Sequence, residues 1–518
     1  MANRAAGQRR ARCHPQGANR GPFRLEYPRV TMRVRATVAA VGLAVGGVFS
    51  SVSAQVHRVP VGAGATPVAL AGDYRALGWN PAGLTFHPLF PNMKGTAGGL
   101  EGGFSVESDV FNRQDLWDDA LNRGAGDSSW TGLNAREWAS RLASDRIRCD
   151  AELLTASAYR RTKRWGFAYS ARQQITGDLQ LGSVAAQLLV AGGAASVFDQ
   201  VILASGDTVA NDQEWSLEEA SGMLGGFASG PAPLLSALLD GTHLGFSWVR
   251  VHELGISRMW GEREGWTLHT GVGGRLMLGN GYFSIDVEGD QMDAFGAFSN
   301  GLGVPSLAEL SNATGTWDGL RKWGPVGQGW AVDAGAVLAR KDGMWISASL
   351  TDIGKMEWRG ERYTIGGIDI PDWEAGIEDP TSIEGIVGEA LQPGTWFGEA
   401  VRETRRVDLP TAFHAGAGKW FGTGAMLAAD ASLANGQALA TETLRFGATA
   451  LLRIGGRLFV DVGLRKVSES VFRIPAGIVI AAPEGGWQAG IRAGDIQALW
   501  KGSQPEVGMQ MCFIRWAW

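Results

Sequence analysis

The sequence predicts an all-β protein, a single antiparallel β-barrel that crosses a membrane with strands. Three observations carry this reading. Apolar and polar residues alternate with period two in segment after segment. The 518 residues include 75 glycines and 21 tryptophans, the glycine and aromatic bias of outer-membrane strands. A short export signal lies near the start of the chain, and no later apolar run is long enough for a membrane helix.

Residues 32–54 have the layout of a signal peptide. Met32 precedes Arg33 and Arg35, an apolar run extends from Ala36 to Phe49, and Val52-Ser53-Ala54 supplies small residues for cleavage. The run is well short of the roughly 20 residues a spanning helix needs. Gln55 follows rather than Cys, so no lipid anchor is expected. Residues 1–31 are Arg-rich and fit no secretion signal. They read as a disordered start-site extension, with Met32 as the native start. Residues 1–54 hold nine Arg and one Glu; without them, 47 basic and 52 acidic residues become 38 and 51, a net of −13. An acidic exported chain excludes nucleic acid as the expected partner. The chain is placed in the bacterial outer membrane. Cys149 and Cys512 are too few for a disulfide scaffold and read as unpaired.

Successive strand residues point to opposite faces. From Trp165, one face carries Trp, Phe, Tyr and Ala, and the other Gly166, Ala168, Ser170 and Arg172. From Trp266, the polar face carries Thr267, His269 and Arg275. Asp333 lies opposite Val332 and Ala334. Leu444–Arg453 places Arg445 and Arg453 at the ends of its inner face, and Asp461 stands among Val460 and Val462. A soluble sandwich would have to bury such charges in its core, which is costly. A membrane barrel turns the apolar face to lipid and the charges to its lumen, with tryptophans at strand starts forming an interfacial belt. The chain ends in Ile514-Arg515-Trp516-Ala517-Trp518, where Ile514, Trp516 and Trp518 form a lipid face. This ending resembles the terminal signal read by the barrel-assembly machinery.

Four stretches break the pattern. Residues 112–150 contain Leu116–Leu121 and Glu137–Leu142, which read as amphipathic helices at the periplasmic mouth or in the lumen. Residues 183–240, 290–328 and 366–406 read as long extracellular loops or lumen plugs, since such barrels have short turns at one end and long loops at the other.

No catalytic constellation is expected. His57, His87, His243, His252, His269 and His414 form no zinc-binding spacing, and there is no nucleophile elbow. The chain reads as a non-enzyme with no cofactor and no metal. The acidic run at 369–389 lacks calcium-loop spacing and reads as solvated. The inward arginines could form an anion-selecting ladder or be paired by Asp333, Asp461 and other lumen carboxylates.

The segment Leu70–Leu84, with Asn80-Pro81-Ala82-Gly83 at its centre, resembles the N-terminal hatch segment of FadL-like outer-membrane proteins, and a similar segment occurs in PorV-like barrels of secretion systems. Leu154–Arg172, Gly329–Trp358 and the closing strands resemble an uncharacterised family within that group. The resemblance implies a hatch-like segment over 55–95, carried by Asn80, Pro81 and Ala82, and a barrel over 96–518 of roughly 14 strands, between about 12 and 16. No segment matches the fatty-acid-binding residues of that family. The expected function is a passive channel or transporter for hydrophobic or amphipathic small molecules; the alternative is a PorV-like scaffold or adaptor in a secretion or envelope complex. Outer-membrane lipid, the assembly machinery, a hydrophobic small-molecule ligand and a secretion-complex protein are the candidate partners.

Overall fold

The structure is a computed structural model. It describes residues 63–518 except 99, 109–133, 145, 213, 217–218, 221, 229–233, 290, 300–323, 366–400, 423, 436–442, 467–471, 483–485 and 500–505. Fourteen strand positions form one antiparallel ring. In chain order they are β1 (Gly95–Ala97 and Glu101–Glu107), β2 (Arg146–Arg161), β3 (Trp165–Gln180), β4 (His243–Arg263) and β5 (Trp266–Glu288). Then come β6 (Gln291–Phe298 and Gly327–Arg340), β7 (Met344–Ile365), β8 (Val401–Asp408 and Thr411–Phe421), β9 (Ala425–Asn435) and β10 (Thr443–Ile454). The ring ends with β11 (Leu458–Lys466), β12 (Phe472–Arg473 and Ala476–Ala481), β13 (Gly486–Ala493) and β14 (Glu506–Ala517). Each strand pairs with the next, and β14 pairs with β1 through Thr96↔Ala517 and Glu101↔Cys512, so the sheet has no edge.

The period-two pattern becomes two surfaces. Along the second segment of β6, Ala331 and Asp333 are buried while Trp330 and Val332 are exposed. Leu254, Leu276, Leu350, Phe413, Leu427 and Leu452 extend the exposed apolar face around the wall. Such a continuous apolar band is tolerated where lipid is the solvent. No helix among the described residues is long and apolar enough to cross a membrane. The strands span, and the closed ring satisfies their backbone.

The ends differ. At one end β4–β5, β6–β7, β8–β9 and β10–β11 are joined by tight turns. Glu264-Gly265 and Gly455-Gly456 adopt positive φ at both central positions, the geometry that matches the twist of a two-residue hairpin. At the other end the connections from β1 to β2, β3 to β4 and β7 to β8 are long, while β5 and β6 are joined by two residues. Strands β4, β5 and β7 have 21, 23 and 22 residues, about twice what a tilted strand needs to cross a bilayer, and their excess stands beyond the membrane on the long-loop side.

The long-loop end also departs from the sequence reading. Helix Ala135–Ser144 packs on helix Ser183–Ala191 through Trp138, Ala139, Leu142 and Ala186. It therefore lies at the long-loop end, because β2 begins two residues later, and not at the periplasmic mouth or in the lumen. Residues 183–240 form more than a loop. Strands Gln200–Ile202, Thr208–Ala210 and Gly225–Phe227 make a small sheet of their own, sealed by Val201, Trp215, Ala220 and Met223. The windows 290–328 and 366–406 lose their edges to strands, since Met292 and Ala294 continue the alternation of β6 and Glu403 and Arg405 that of β8. The helix read at 116–121 and the whole acidic run at 369–389 lie outside the described residues, as do residues 1–62.

Candidate functional site

Residues 63–94 lie inside the ring, at the short-turn end. The segment is one short helix, Pro67–Leu70, and two 3-10 turns, Asp73–Ala76 and Pro81–Leu84. Nearly every residue from Ala63 to Leu89 is buried. So short a folded segment has many unpaired backbone groups, and inward side chains of the wall satisfy them. Asp430 accepts from the amides of Val68 (2.7 Å) and Ala69 (3.1 Å). Thr449 accepts from Ala65 N at 2.8 Å. Trp345 Nε1 donates to Ala69 O at 3.0 Å, Ser349 to Trp79 O at 2.6 Å and Tyr159 to Leu84 O at 2.9 Å.

Asn80 caps the second 3-10 turn, its Oδ1 accepting from Ala82 N (3.1 Å) while Nδ2 donates to Ala336 O (3.3 Å). The Ser257 hydroxyl donates to Ala82 O at 3.3 Å and shares a 2.6 Å hydrogen bond with Thr85, which His269 also meets at 3.0 Å. Where this plug presses on the wall, the wall is glycine. A β-carbon at Gly166, Gly271, Gly335 or Gly447 would overlap Leu84, Pro81, Asn80 or Ala65. Leu70, Leu89, Trp345, Met426, Leu451 and Phe459 close the remaining space. A void of about 10 Å³, room for one water, lies beside Leu70, Asp73, His87 and Phe459. The lumen is filled at this level.

The first 3-10 turn sits across the seam where the ring closes. Asp73 pairs with Arg515 of β14, which also donates to Gln488 of β13. Tyr74 and Arg75 both donate to Glu101 of β1, at 2.9 and 3.2 Å. The plug thus holds the first and last strands together. Burial pushes the Asp73 carboxyl up; the Arg515 guanidinium, with His87 and Arg75, outweighs it and holds the carboxyl well below the usual carboxylate range. His87, 3.3 Å from Asp73, is lowered from its ordinary value because burial disfavours the imidazolium.

Above the plug a polar girdle crosses adjacent strands. Arg172 on β3 bridges Glu152 on β2 (2.8 Å) and Glu253 on β4 (2.7 Å). Arg275 on β5 lies 4.0 Å from Glu253, pairs with Asp333 on β6 and meets Asp352 on β7 at 2.7 Å. Thr351 and His414 (3.1 Å) carry the chain to Ser432 on β9 (2.7 Å). The register makes this possible. Between Val332 and Ala334 the pairing slips, so that two β7 residues face Asp333. Asp352 takes positive φ there, and its amide donates to the Asp333 carboxylate at 2.9 Å. Such a bulge re-aims a side chain.

Beyond the girdle the inner wall carries an apolar patch, capped by the Arg405 guanidinium 4.4 Å above Phe295. Val249, Val251, Met277, Phe295, Met356 and Trp358 form one buried cluster with Tyr282. Tyr282 stacks on Trp358 at 5.0 Å and meets Phe295 edge-on at 5.6 Å.

The structure brings Arg172, His269, Arg275 and Asp333 inward and buried. Arg172 and Arg275 are paired by carboxylates, which is the second of the two sequence readings of these arginines. Asp461 is buried behind the plug within the field of Arg492. Arg445 is half-buried, and Arg453 stands at the short-turn rim with its guanidinium 5.6 Å above Phe459. Trp516 and Trp518 face outward; the Ile514 side chain is outside the described residues. Cys149 is a free thiol. Asp73, Glu253, Asp352, Asp430 and Arg515 were not singled out in the sequence. Each sits at an inward position of an alternating strand or in the plug, but only the pairing of distant segments gives it a partner. Among the described residues no group of His, Cys, Asp and Glu is arranged to hold a metal.

A closed antiparallel ring with an apolar exterior, a polar lumen and an inserted N-terminal segment defines a transmembrane β-barrel of the outer-membrane type. Residues 237–459 match a family described as a family of unknown function (DUF5723). Among solved structures the chain is similar to the Pseudomonas putida toluene transporter TodX, with 11% identity over 86% of this chain and 92% of that one and a TM-score of 0.38. It is similar also to the Ralstonia pickettii toluene transporter TbuX (10% identity, 87% and 98% covered, TM-score 0.39) and to a Pseudomonas aeruginosa FadL homologue (11%, 91% and 98%, TM-score 0.37). No curated protein matches the chain.

Proposed function

We propose that the protein is a passive outer-membrane route for hydrophobic or amphipathic small molecules, gated by residues 63–94. The observation that carries this reading is the apolar inner wall around Tyr282, Phe295, Trp358 and Met277. Aromatic and thioether groups at inward positions suit an apolar solute better than an ion. The plug lies below this surface, seated by hydrogen bonds to wall side chains and by close glycine contacts. Passage therefore requires the plug to shift. In proteoliposomes, uptake of a hydrophobic fluorescent probe should fall severalfold in Trp358→Glu while a folded barrel is retained. Equal uptake by wild type, Trp358→Glu and empty liposomes would exclude transport.

The adaptor reading is favoured by a different observation, the independently cored unit at the long-loop end, on which Leu189 and Leu224 are exposed. It predicts a stoichiometric protein partner after mild detergent extraction. A clean monomer would remove it.

A further inference from the structure

We propose that the short-turn rim of the barrel is a docking collar for the phosphate of anionic glycerophospholipids, with Arg258 as its most developed site. The inference rests on the outer wall and not on what passes through the lumen.

The mature chain is acidic, yet this rim is basic. Arg160, Lys163, Arg164, Arg258, Lys419 and Arg457 lie at the short-turn ends of β2, β4 and β8 or in the turns between strands. None of these six has a carboxylate partner within salt-bridge distance among the described residues. The acidic residues of this rim, Glu262, Glu264 and Asp342, are taken by Lys341, Arg263 and Arg340. At the opposite end the described strand termini carry both signs, Asp240, Asp286, Glu288 and Asp293 beside Arg146, Arg362, Arg405 and Lys466, and there Arg146, Arg362 and Arg405 are paired with carboxylates.

Arg258 faces outward, because its neighbour Ser257 is buried against the plug. Its guanidinium carbon stands 4.2 Å from the Trp260 ring centre and 5.1 Å from that of Trp165. Trp260 is held in turn by a 2.9 Å hydrogen bond from its Nε1 to Thr270. Both indoles are exposed on the outer wall, the depth at which aromatic belts meet headgroups. A cation bracketed by two indoles keeps its charge while shedding water on two faces, and its planar donors match a phosphate. Lys419 over Phe421 (5.9 Å) repeats the arrangement on the same rim. Short turns mark the periplasmic side, so the leaflet in question is the one facing the periplasm. Lipid is preferred over a protein occupant because the cations are interleaved with outward aromatics rather than set on a polar surface.

The test uses the whole purified barrel. Wild type and Arg258→Gln are loaded in mild detergent with phosphatidylglycerol or with phosphatidylcholine at equal mole fraction, washed, and examined for retained lipid by native mass spectrometry. Wild type should retain phosphatidylglycerol preferentially, the preference should weaken with salt, and Arg258→Gln should retain about fivefold less, the loss of one interfacial cation. Arg258→Lys should recover part of it, and serves as the readout if the glutamine variant does not fold. Equal retention of the two lipids by wild type, no change in either variant, or salt-sensitive recovery of an acidic protein in place of lipid would overturn the proposal.

Discussion

Arg515 and Asp73 are 442 residues apart in sequence and fully buried against one another. Breaking a buried pair from one side strands the other charge, at a cost of about 3–5 kcal/mol. Asp73→Asn is the informative change, because Asp73 has φ near +54° and Asn tolerates that region as well. Denaturant titration of the detergent-solubilised barrel should show a loss of that order, and Asp73→Asn with Arg515→Gln should cost less than the sum of the two. A pH effect belongs to the same site. Asp73 and His87 both have lowered folded-state values, so each favours the plugged state above its unfolded value and loses that contribution as pH falls. The histidine acts first, below about pH 6.5, and the carboxylate only near 4 and below. Protection factors across residues 70–90, corrected for the intrinsic pH dependence of amide exchange, should fall between pH 7.5 and 5.5, and His87→Gln should flatten that step. Alternation alone points Arg515 inward. The chain between it and Asp73 carries no local mark of their pairing, so this contact could not be read from the sequence.

At the scale of elements, the unusual glycine content has a mechanical explanation. Several inner-wall glycines are positions where a plug backbone lies against a strand backbone. Gly335→Val would drive a branched side chain into Asn80, and overpacking of this kind typically costs about 1–3 kcal/mol. The expected outcome is a folded barrel with a displaced plug, seen as faster proteolysis near Asn80 and higher probe uptake. Asp430→Ala removes the acceptor for two plug amides and should destabilise the plug by about 1–3 kcal/mol, visible as faster exchange at Val68 and Ala69. The continuous strands were the legible part, because lipid outside and polar groups inside impose period two. The interrupted strands were not. β8 breaks at Leu409-Pro410 opposite the β7 bulge, where Pro410 has no amide for the ladder. The small sheet over 200–227 escaped notice because three-residue strands are too short to show a period.

At the scale of the whole molecule, the insertion on the long-loop end can be tested for its part in barrel stability, since helix Ala135–Ser144 shares its core through Ala135, Trp138 and Leu142. Gln180 pairs with His243, and Gly182 N donates to Thr242 Oγ1 at 3.0 Å, so the ends of the insertion lie side by side. Replacing residues 183–240 by a short Gly-Ser turn should leave a barrel with normal heat-modifiable mobility on gels, since β3 and β4 keep their register. A loss of folding would show that the inserted unit is part of the barrel's stability. The ring itself was legible because closure needs no side-chain detail. The gathering of cations without carboxylate partners on the short-turn rim was not, because net charge says nothing about where charges sit.

The bridging of the seam by Asp73, Tyr74 and Arg75 also sets an order of events. Synthesis delivers residues 63–94 long before Arg515 and Trp518, and Lys94 N and Gly95 N donate to the Trp518 carbonyl at 2.7 and 3.0 Å. The early segment can complete its moorings only once the final strand exists. A chain lacking β14 would therefore present an unmoored N-terminal segment.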